Sequence, residues 1–397
     1  MLGTACLLGL GSAILYTTSF SLTPVNALRN GVGRLPALGY NTWNAYGCNI
    51  DEDLVLEAAQ LMVSLGLQTA GYEYVNIDDC YAEKNRSETG DIVANSVRFS
   101  RGMNNLTDQI HALGLKTGIY SDSGWFTCGG YPGSFQNELR DARTFQDWGF
   151  DYLKRAKFHS YDHVQPSDGY PKDLTIVQVT GDISPNWDSL TLIINFNSFI
   201  TQATDFHGHN DMDMLQLGNG GLTFDEAKSH FTAWALMKSP LLIGTNLSAI
   251  TPEILEILTN TEILAINQDP VVGKSISPFR WGVNPDWTSN SSFPAQYYSG
   301  PSENGTVFML LNTLNETSDM FFNLTESPWI RAGREYSVRD LWTHTENGTA
   351  IRNFTATNVP PHGVVALLLK DTGDEPEGIF PPCAVPSCSF ENGTIFA

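Results

Sequence analysis

Basic residues are scarce in this sequence: 22 Lys and Arg stand against 43 Asp and Glu, a formal net charge of -21. A surface of that sign repels nucleic acid and anionic membranes, so a neutral small molecule suits it better as a ligand. Beyond the start of the chain there is no apolar run long enough to cross a bilayer. No paired-Cys spacing suggests zinc, and His207 with His209 beside Asp211 reads as a polar loop, so no metal is expected. No glycine-rich phosphate loop is present either. Gly218 to Gly221 reads as a turn, and no cofactor is expected.

Cysteine is sparse and unevenly placed. Of six, Cys6 falls in the leading segment, which leaves Cys48, Cys80, Cys128, Cys383 and Cys388. Cys48 and Cys80 each follow a predicted strand and could bridge neighbouring loops, and Cys383 and Cys388 could close a small terminal loop. Cys128 is left over. The first 25 residues, with an apolar run from Leu2 to Leu15, small residues and then a polar stretch, read as an export signal. Ten Asn-x-Ser/Thr sequons, at Asn85, Asn105, Asn246, Asn290, Asn304, Asn315, Asn323, Asn347, Asn353 and Asn392, fit the same route. A secreted protein carrying N-glycans is therefore expected, with no membrane attachment once the signal is removed.

From about Pro36 the chain alternates short apolar strands with amphipathic helices, the pattern of a parallel sheet covered by helices. Strands are predicted at 38–43, 72–79, 116–120, 150–153 and 241–244. Asp51 is placed to cap the first long helix, and Thr223 with Glu226 forms a capping box for a later one. After about Arg280 the pattern turns to short alternating segments separated by Gly, Asn and Pro, as in an antiparallel sandwich. The organisation expected is a signal at 1–25, an α/β barrel at 30–280, a β-sandwich at 281–372 and a Cys-containing tail at 373–397. Between Lys154 and Asp182 the period fails. Residues 158–172 carry Pro166, Gly169 and Pro171 with no helical or strand repeat, so an eight-stranded barrel is short of about one strand–helix unit.

Polar residues gather where barrel strands end, the place where this architecture builds active sites. Trp43, Asp78 with Asp79, Tyr120, Lys154, Asp182 and Asp211 with Asp213 all lie at or just past such an end. Taken singly, an Asp there is more often a helix cap or a solvated turn. The coincidence over successive strands is what points to a neutral sugar: carboxylates accept its hydroxyl protons and an indole face covers its C–H side.

The runs LPALGYNTWNAYGCNI (35–50), GYEYVNIDDCY (71–81), GLKTGIYSDSG (114–124), TCGGYPGS (127–134), DWGFDYLK (147–154), TGDI (180–183), NDMDML (210–215), KSPLLIGTNL (238–247) and INQDP (266–270) resemble, in order, the signatures of the α-galactosidase (melibiase) family of glycoside hydrolases. The resemblance implies a (β/α)8 barrel with a small antiparallel β-sandwich. It implies release of terminal non-reducing α-D-galactose from galactosides, with retention of configuration. Carried over residue by residue, Trp43, Asp78, Asp79, Tyr120, Cys128 and Lys154 match positions lining the galactose subsite, and Asp182 matches the general acid/base. Asp211 and Asp213 match supporting positions.

The departures are as specific. After the strand-four Lys the family continues with an aromatic residue, the nucleophilic Asp, Asn or Gly, and a Cys; here Arg155, Ala156 and Lys157 follow. Ala156 thus stands at the nucleophile position, and the absent Cys is the one expected to pair with Cys128. Gln178 replaces an Arg that contacts the sugar's 2-hydroxyl. Asp162 is the nearest downstream carboxylate, but six residues of extended strand span about 20 Å. Two alternatives to an active α-galactosidase follow: a galactoside-binding barrel without the nucleophile, and an α-N-acetylgalactosaminidase, which shares nearly all these motifs.

Overall fold

The computed structural model describes residues 31, 33–156, 176–178, 180–281 and 293–378. The leading segment, Cys383 and Cys388, Asp162, and the sequons at Asn290 and Asn392 lie outside the described residues.

The first part alternates strands and helices: β1 (Leu38–Asn41), α1 (Trp43–Tyr46), α2 (Glu52–Ser64), β2 (Tyr74–Ile77), α3 (Met103–Ala112), β3 (Lys116–Asp122), α4 (Glu138–Asp147), β4 (Tyr152–Ala156), β5 (Ile176–Gln178), α5 (Trp187–Ser198), β6 (His209–Asp211), α6 (Phe224–Leu236), β7 (Leu241–Ile243), α7 (Pro252–Leu258) and α8 (Thr261–Asn267). Local chemistry sets the helix starts. Asp51 accepts a hydrogen bond from the Leu54 amide at 2.9 Å. Thr223 Oγ1 accepts from the Glu226 amide at 3.2 Å while Glu226 Oε2 accepts from the Thr223 amide at 2.8 Å, completing the predicted box.

Five strands form one parallel sheet in the order β4-β3-β2-β1-β7, and β5 pairs with β6 in parallel. A parallel bridge between Leu215 and Ile243 joins the β6 side to β7. The described residues therefore supply seven parallel strands running β5-β6-β7-β1-β2-β3-β4 around the barrel. Among the described residues β4 and β5 are not paired with each other, and the segment between them is where the sequence period fails.

The remaining strands, β8 (Ser277–Arg280), β9 (Tyr297–Ser302), β10 (Gly305–Leu311), β11 (Ser318–Asn323), β12 (Arg334–Asp340), β13 (Thr345–Ile351), β14 (Asn353–Val359) and β15 (Val364–Asp374), are antiparallel. One sheet has six strands, β13-β12-β15-β10-β9-β8; β11 and β14 form the other. Between them lie Phe308 and Phe322, with ring centroids 5.1 Å apart, and Met320, Val338 and Leu367.

Helix α6 joins the two parts. Phe231, Ala233, Trp234, Ala235 and Leu236 are fully buried, because the helix packs against α5, α7 and α8 and against sandwich strands β10 and β15. The Trp342 indole donates to Thr232 Oγ1 at 3.0 Å, and His362 stacks on Trp187 at 4.2 Å with its Nδ1 2.6 Å from Glu226 Oε1.

Candidate active site

The apolar run of β2 stops at Ile77, and the next two residues carry carboxylates into the barrel mouth. Asp78 is 3% exposed and Asp79 2%. Asp78 Oδ2 accepts from Asn41 Nδ2 at 2.7 Å and from Lys154 Nζ at 2.9 Å, and Asp78 Oδ1 from the Asp79 amide at 2.9 Å. Asp79 Oδ1 accepts from the Cys80 amide at 2.7 Å and Thr127 Oγ1 at 2.8 Å, and Oδ2 from the Gly129 amide at 2.7 Å. Asp79 thereby ties the 127–129 loop to the β2 end. A Cβ at Gly129 would sit 2.9 Å from Asp79 Oδ2, so the close approach requires glycine.

That loop presents Cys128, an exposed free thiol. The Tyr120 hydroxyl lies 3.9 Å from Cys128 Sγ, and Lys154 Nζ is 5.7 Å from the Tyr120 ring centre. Against the same loop, with Cys80 Sγ 3.1 Å from where a Cβ on Gly129 would stand, a disulfide joins Cys48 to Cys80, as the strand-end spacing suggests, and clamps the loops after β1 and β2. Trp43, half-buried, opens the helix that follows β1, with its amide donating to Asn41 Oδ1 at 2.8 Å.

Lys154 is the electrostatic centre. Burial works against its charge, but Asp78, Asp213 and Asp211 outweigh it and hold the ammonium above its ordinary range. The same burial raises the Asp211 carboxyl and pushes Asp213 up to about 6 despite Lys154. Burial raises the Cys128 thiol as well, with Asp122, Asp182 and Asp79 adding their negative charge. Asp182 itself is exposed. Next to it the Ile183 amide donates to Asp213 Oδ2 at 2.8 Å, fixing the loop that carries Asp182 to the β6 end.

The structure therefore draws Asp78, Asp79, Tyr120, Cys128 and Lys154 together, with Trp43 at the β1 end and Asp182 on the loop that Ile183 ties to Asp213. For Ala156 and Gln178 only the backbone is described: Ala156 ends β4 as the register partner of Asp122, and Gln178 ends β5 opposite Asp211. No group of His, Cys, Asp or Glu among the described residues could hold a metal. His159 and His163, at His-x-x-x-His spacing, lie outside them. A groove of about 800 Å³ beside α4, lined by Asp91, Arg140, Arg143 and Trp148, contains none of the strand-end residues.

Three contributors escaped the sequence reading. Asn41 bridges Asp78 and the Trp43 amide, Thr127 holds Asp79, and Asp122, 3% exposed, accepts from the Gly124 amide at 2.6 Å beside the Ala156 backbone. Strand alternation around Lys154 and Tyr120 was the available signal for Asp122, two residues beyond Tyr120 on the same face.

The raised Asp213 carboxyl has a measurable consequence. Between its ordinary value of 3.8 and about 6 the folded protein keeps a proton that the unfolded chain releases. The stability this contributes is complete below pH 3.8 and is lost as pH rises through about 6. Asp213→Asn should flatten that fall, a difference of up to about 3 kcal/mol between variant and parent across the window. Urea unfolding of both proteins at several pH values between 4 and 7 reads it.

Two family models match the chain: one described as alpha galactosidase A over residues 35–182 and 174–269, the other as the alpha galactosidase C-terminal beta sandwich domain over 292–369. The first match is split at 174–182. The chain is 38% identical to a probable alpha-galactosidase B of Talaromyces emersonii over 432 residues, covering 88% of this chain and 95% of that one. Since 88% of 397 residues is about 349, some 80 aligned positions have no counterpart here. Among solved structures, alpha-galactosidase I from Mortierella vinacea superposes with a TM-score of 0.77 at 32% identity, over 88% of this chain and all of that one. The Saccharomyces cerevisiae alpha-galactosidase with raffinose gives 0.75 at 25% identity, over 86% of this chain and 99% of the other.

Proposed function

Because the chain belongs to the α-galactosidase (melibiase) family of glycoside hydrolases, we propose that its pocket takes terminal α-D-galactose of galactosides for hydrolysis with retention of configuration. The observation that carries this reading is the buried Lys154–Asp78 pair at the strand ends, set beside Tyr120 and the Asp79-anchored loop of Cys128. Carboxylates held rigid by protein donors keep lone pairs for sugar hydroxyls, and Asp78 and Asp79 take the 4- and 6-hydroxyls in this assignment. Trp43 covers the C–H face, and Tyr120, Cys128 and Lys154 complete the lining; Gln178 takes the sequence position of the 2-hydroxyl contact. Asp182 is the general acid/base: it protonates the leaving glycosidic oxygen and then takes a proton from the attacking water.

A retaining mechanism also needs a carboxylate to attack C1, about 5 to 5.5 Å from the acid/base. Residue 156 has no such group, and this one observation favours a second reading for the chain as it stands: a galactoside-binding barrel whose covalent step is lost. Asp162 lies outside the described residues, and Asp122, the register partner of Ala156, already accepts from Gly124. Both readings share the pocket. The relatives named alpha-galactosidase support galactose over N-acetylgalactosamine. The Cys48–Cys80 disulfide and the signal-like start support secretion, and the described residues contain no helix able to cross a membrane.

Sugar binding tests the pocket directly. Galactose at one hundred times its Kd should raise the unfolding free energy by about 2.7 kcal/mol. Glucose, which differs only at C4, should leave it unchanged at the same concentration. Equal stabilisation by both sugars, or by neither, overturns the assignment.

A further inference from the structure

The sandwich exposes one aromatic ring with an acceptor asparagine beside it. In β11 the side chains alternate, with Met320 and Phe322 buried and Phe321 and Asn323 outward. Phe321 is 46% exposed. A single exposed aromatic is ordinary. The surroundings of this one are not: Asn323-Leu324-Thr325 is a sequon, and Asn323 follows Phe321 by two strand positions, about 7 Å along the same face.

Two ladders of contacts hold that geometry. Asn323 donates through its amide to Glu326 Oε1 at 2.9 Å and through Nδ2 to the same oxygen at 3.2 Å, and Glu326 is paired with Arg280, whose Nη1 donates to the Phe321 carbonyl at 2.7 Å. A primary amide has two N–H bonds, and the contact with Glu326 uses one. Across the sheet, Phe321 faces Thr355 and Asn323 faces Asn353, so a second sequon, Asn353-Phe354-Thr355, borders the same ring. Thr325, Asn353 and Thr355 are all exposed.

We propose that Asn323 carries an N-linked glycan whose first sugar lies across the exposed ring of Phe321. The attachment forms a C–N bond between Asn323 Nδ2 and the anomeric carbon of a lipid-linked oligosaccharide. The bond from that carbon to the lipid diphosphate breaks, and the amide gives up one proton. The C–H face of the sugar then covers an apolar ring that water otherwise meets, locking the outer edge of the two-stranded sheet. Asn353, placed beside Thr355 rather than in line with the ring, is not the stacking site. The proposal requires passage through the secretory pathway and is independent of the barrel's chemistry.

The test is site-specific glycopeptide mapping of the full chain made in a eukaryotic secretory host, from lumen and medium together, with thermal unfolding of four proteins: parent, Thr325→Ala, Phe321→Ser and the double variant. Thr325→Ala abolishes the acceptor while keeping Asn323 and its bonds to Glu326; Thr325→Ser keeps the acceptor as a control. The expected result is an occupied Asn323 and a Tm lowered by about 2 to 4 °C by Thr325→Ala in the parent. In the Phe321→Ser background and in the Thr325→Ser control that shift should vanish. A bare Asn323, a glycan on Asn353 alone, or an equal shift in both backgrounds overturns the proposal.

Discussion

Ala156→Asp should raise hydrolysis of a nitrophenyl α-galactoside at least about 10³-fold over the parent chain, the scale on which nucleophilic triads fail when one member is removed. The backbone for this is in place, since β4 pairs with β3 in unbroken register from Tyr152 to Ala156. Position 156 ends that strand two residues after Lys154, whose ammonium pairs with Asp78. Ala156→Asn has nearly the same size as the Asp variant but no nucleophile, and should stay inactive. A rise with Asn equal to that with Asp would show that bulk at 156, rather than covalent chemistry, limits turnover.

Lys154→Met should lower the unfolding free energy by about 3 to 5 kcal/mol and abolish galactose binding. The side chains of Lys154 and Asp78 are 18% and 5% exposed, so removing the ammonium strands a buried carboxylate with only Asn41 and a backbone amide for partners. Lys154→Met combined with Asp78→Asn should recover part of the lost stability, because the uncompensated charge is gone, but not the binding. Urea unfolding and galactose titration of the three variants separate the two effects. Equal cost in the single and double variants would mean that the pair is not coupled.

Much of the site could be read before the fold was known, for a physical reason. An apolar strand that ends in charge, as β2 does at Ile77-Asp78-Asp79, cannot bury those carboxylates in its own core and must present them at its end. The same logic located Tyr120 and Lys154. Helix starts were legible because capping is local: the Thr223–Glu226 box needs no tertiary information. What could not be read depends on contacts across the chain. Asn41 reaches Asp78 over 37 residues and Thr127 reaches Asp79 over 48, and neither residue type signals its partner. Ser277–Arg280 is the edge strand of the large sandwich sheet, yet Pro278 hides it, since proline breaks strand patterns and is tolerated at a sheet edge.

The segment between Lys154 and Asp182 shows the limit most clearly. It stood out as failed periodicity after Lys154, and Cys128 stood as an orphan thiol. Only the sheet order shows that, among the described strands, β4 and β5 are the two that stand at the ends of the row. The split of the family match at 174–182 falls at the same place.

The pocket and the missing nucleophile are tested together by one measurement on the unaltered chain: nitrophenolate release from a nitrophenyl α-galactoside, with and without sodium azide. Azide can enter where Ala156 leaves no carboxylate, attack C1 from the face opposite the glycosidic bond and displace nitrophenolate. Slow release in buffer, acceleration by azide and β-galactosyl azide as the product is the expected result. Rapid release that is indifferent to azide and yields free galactose would contradict it, because another carboxylate would then be the nucleophile.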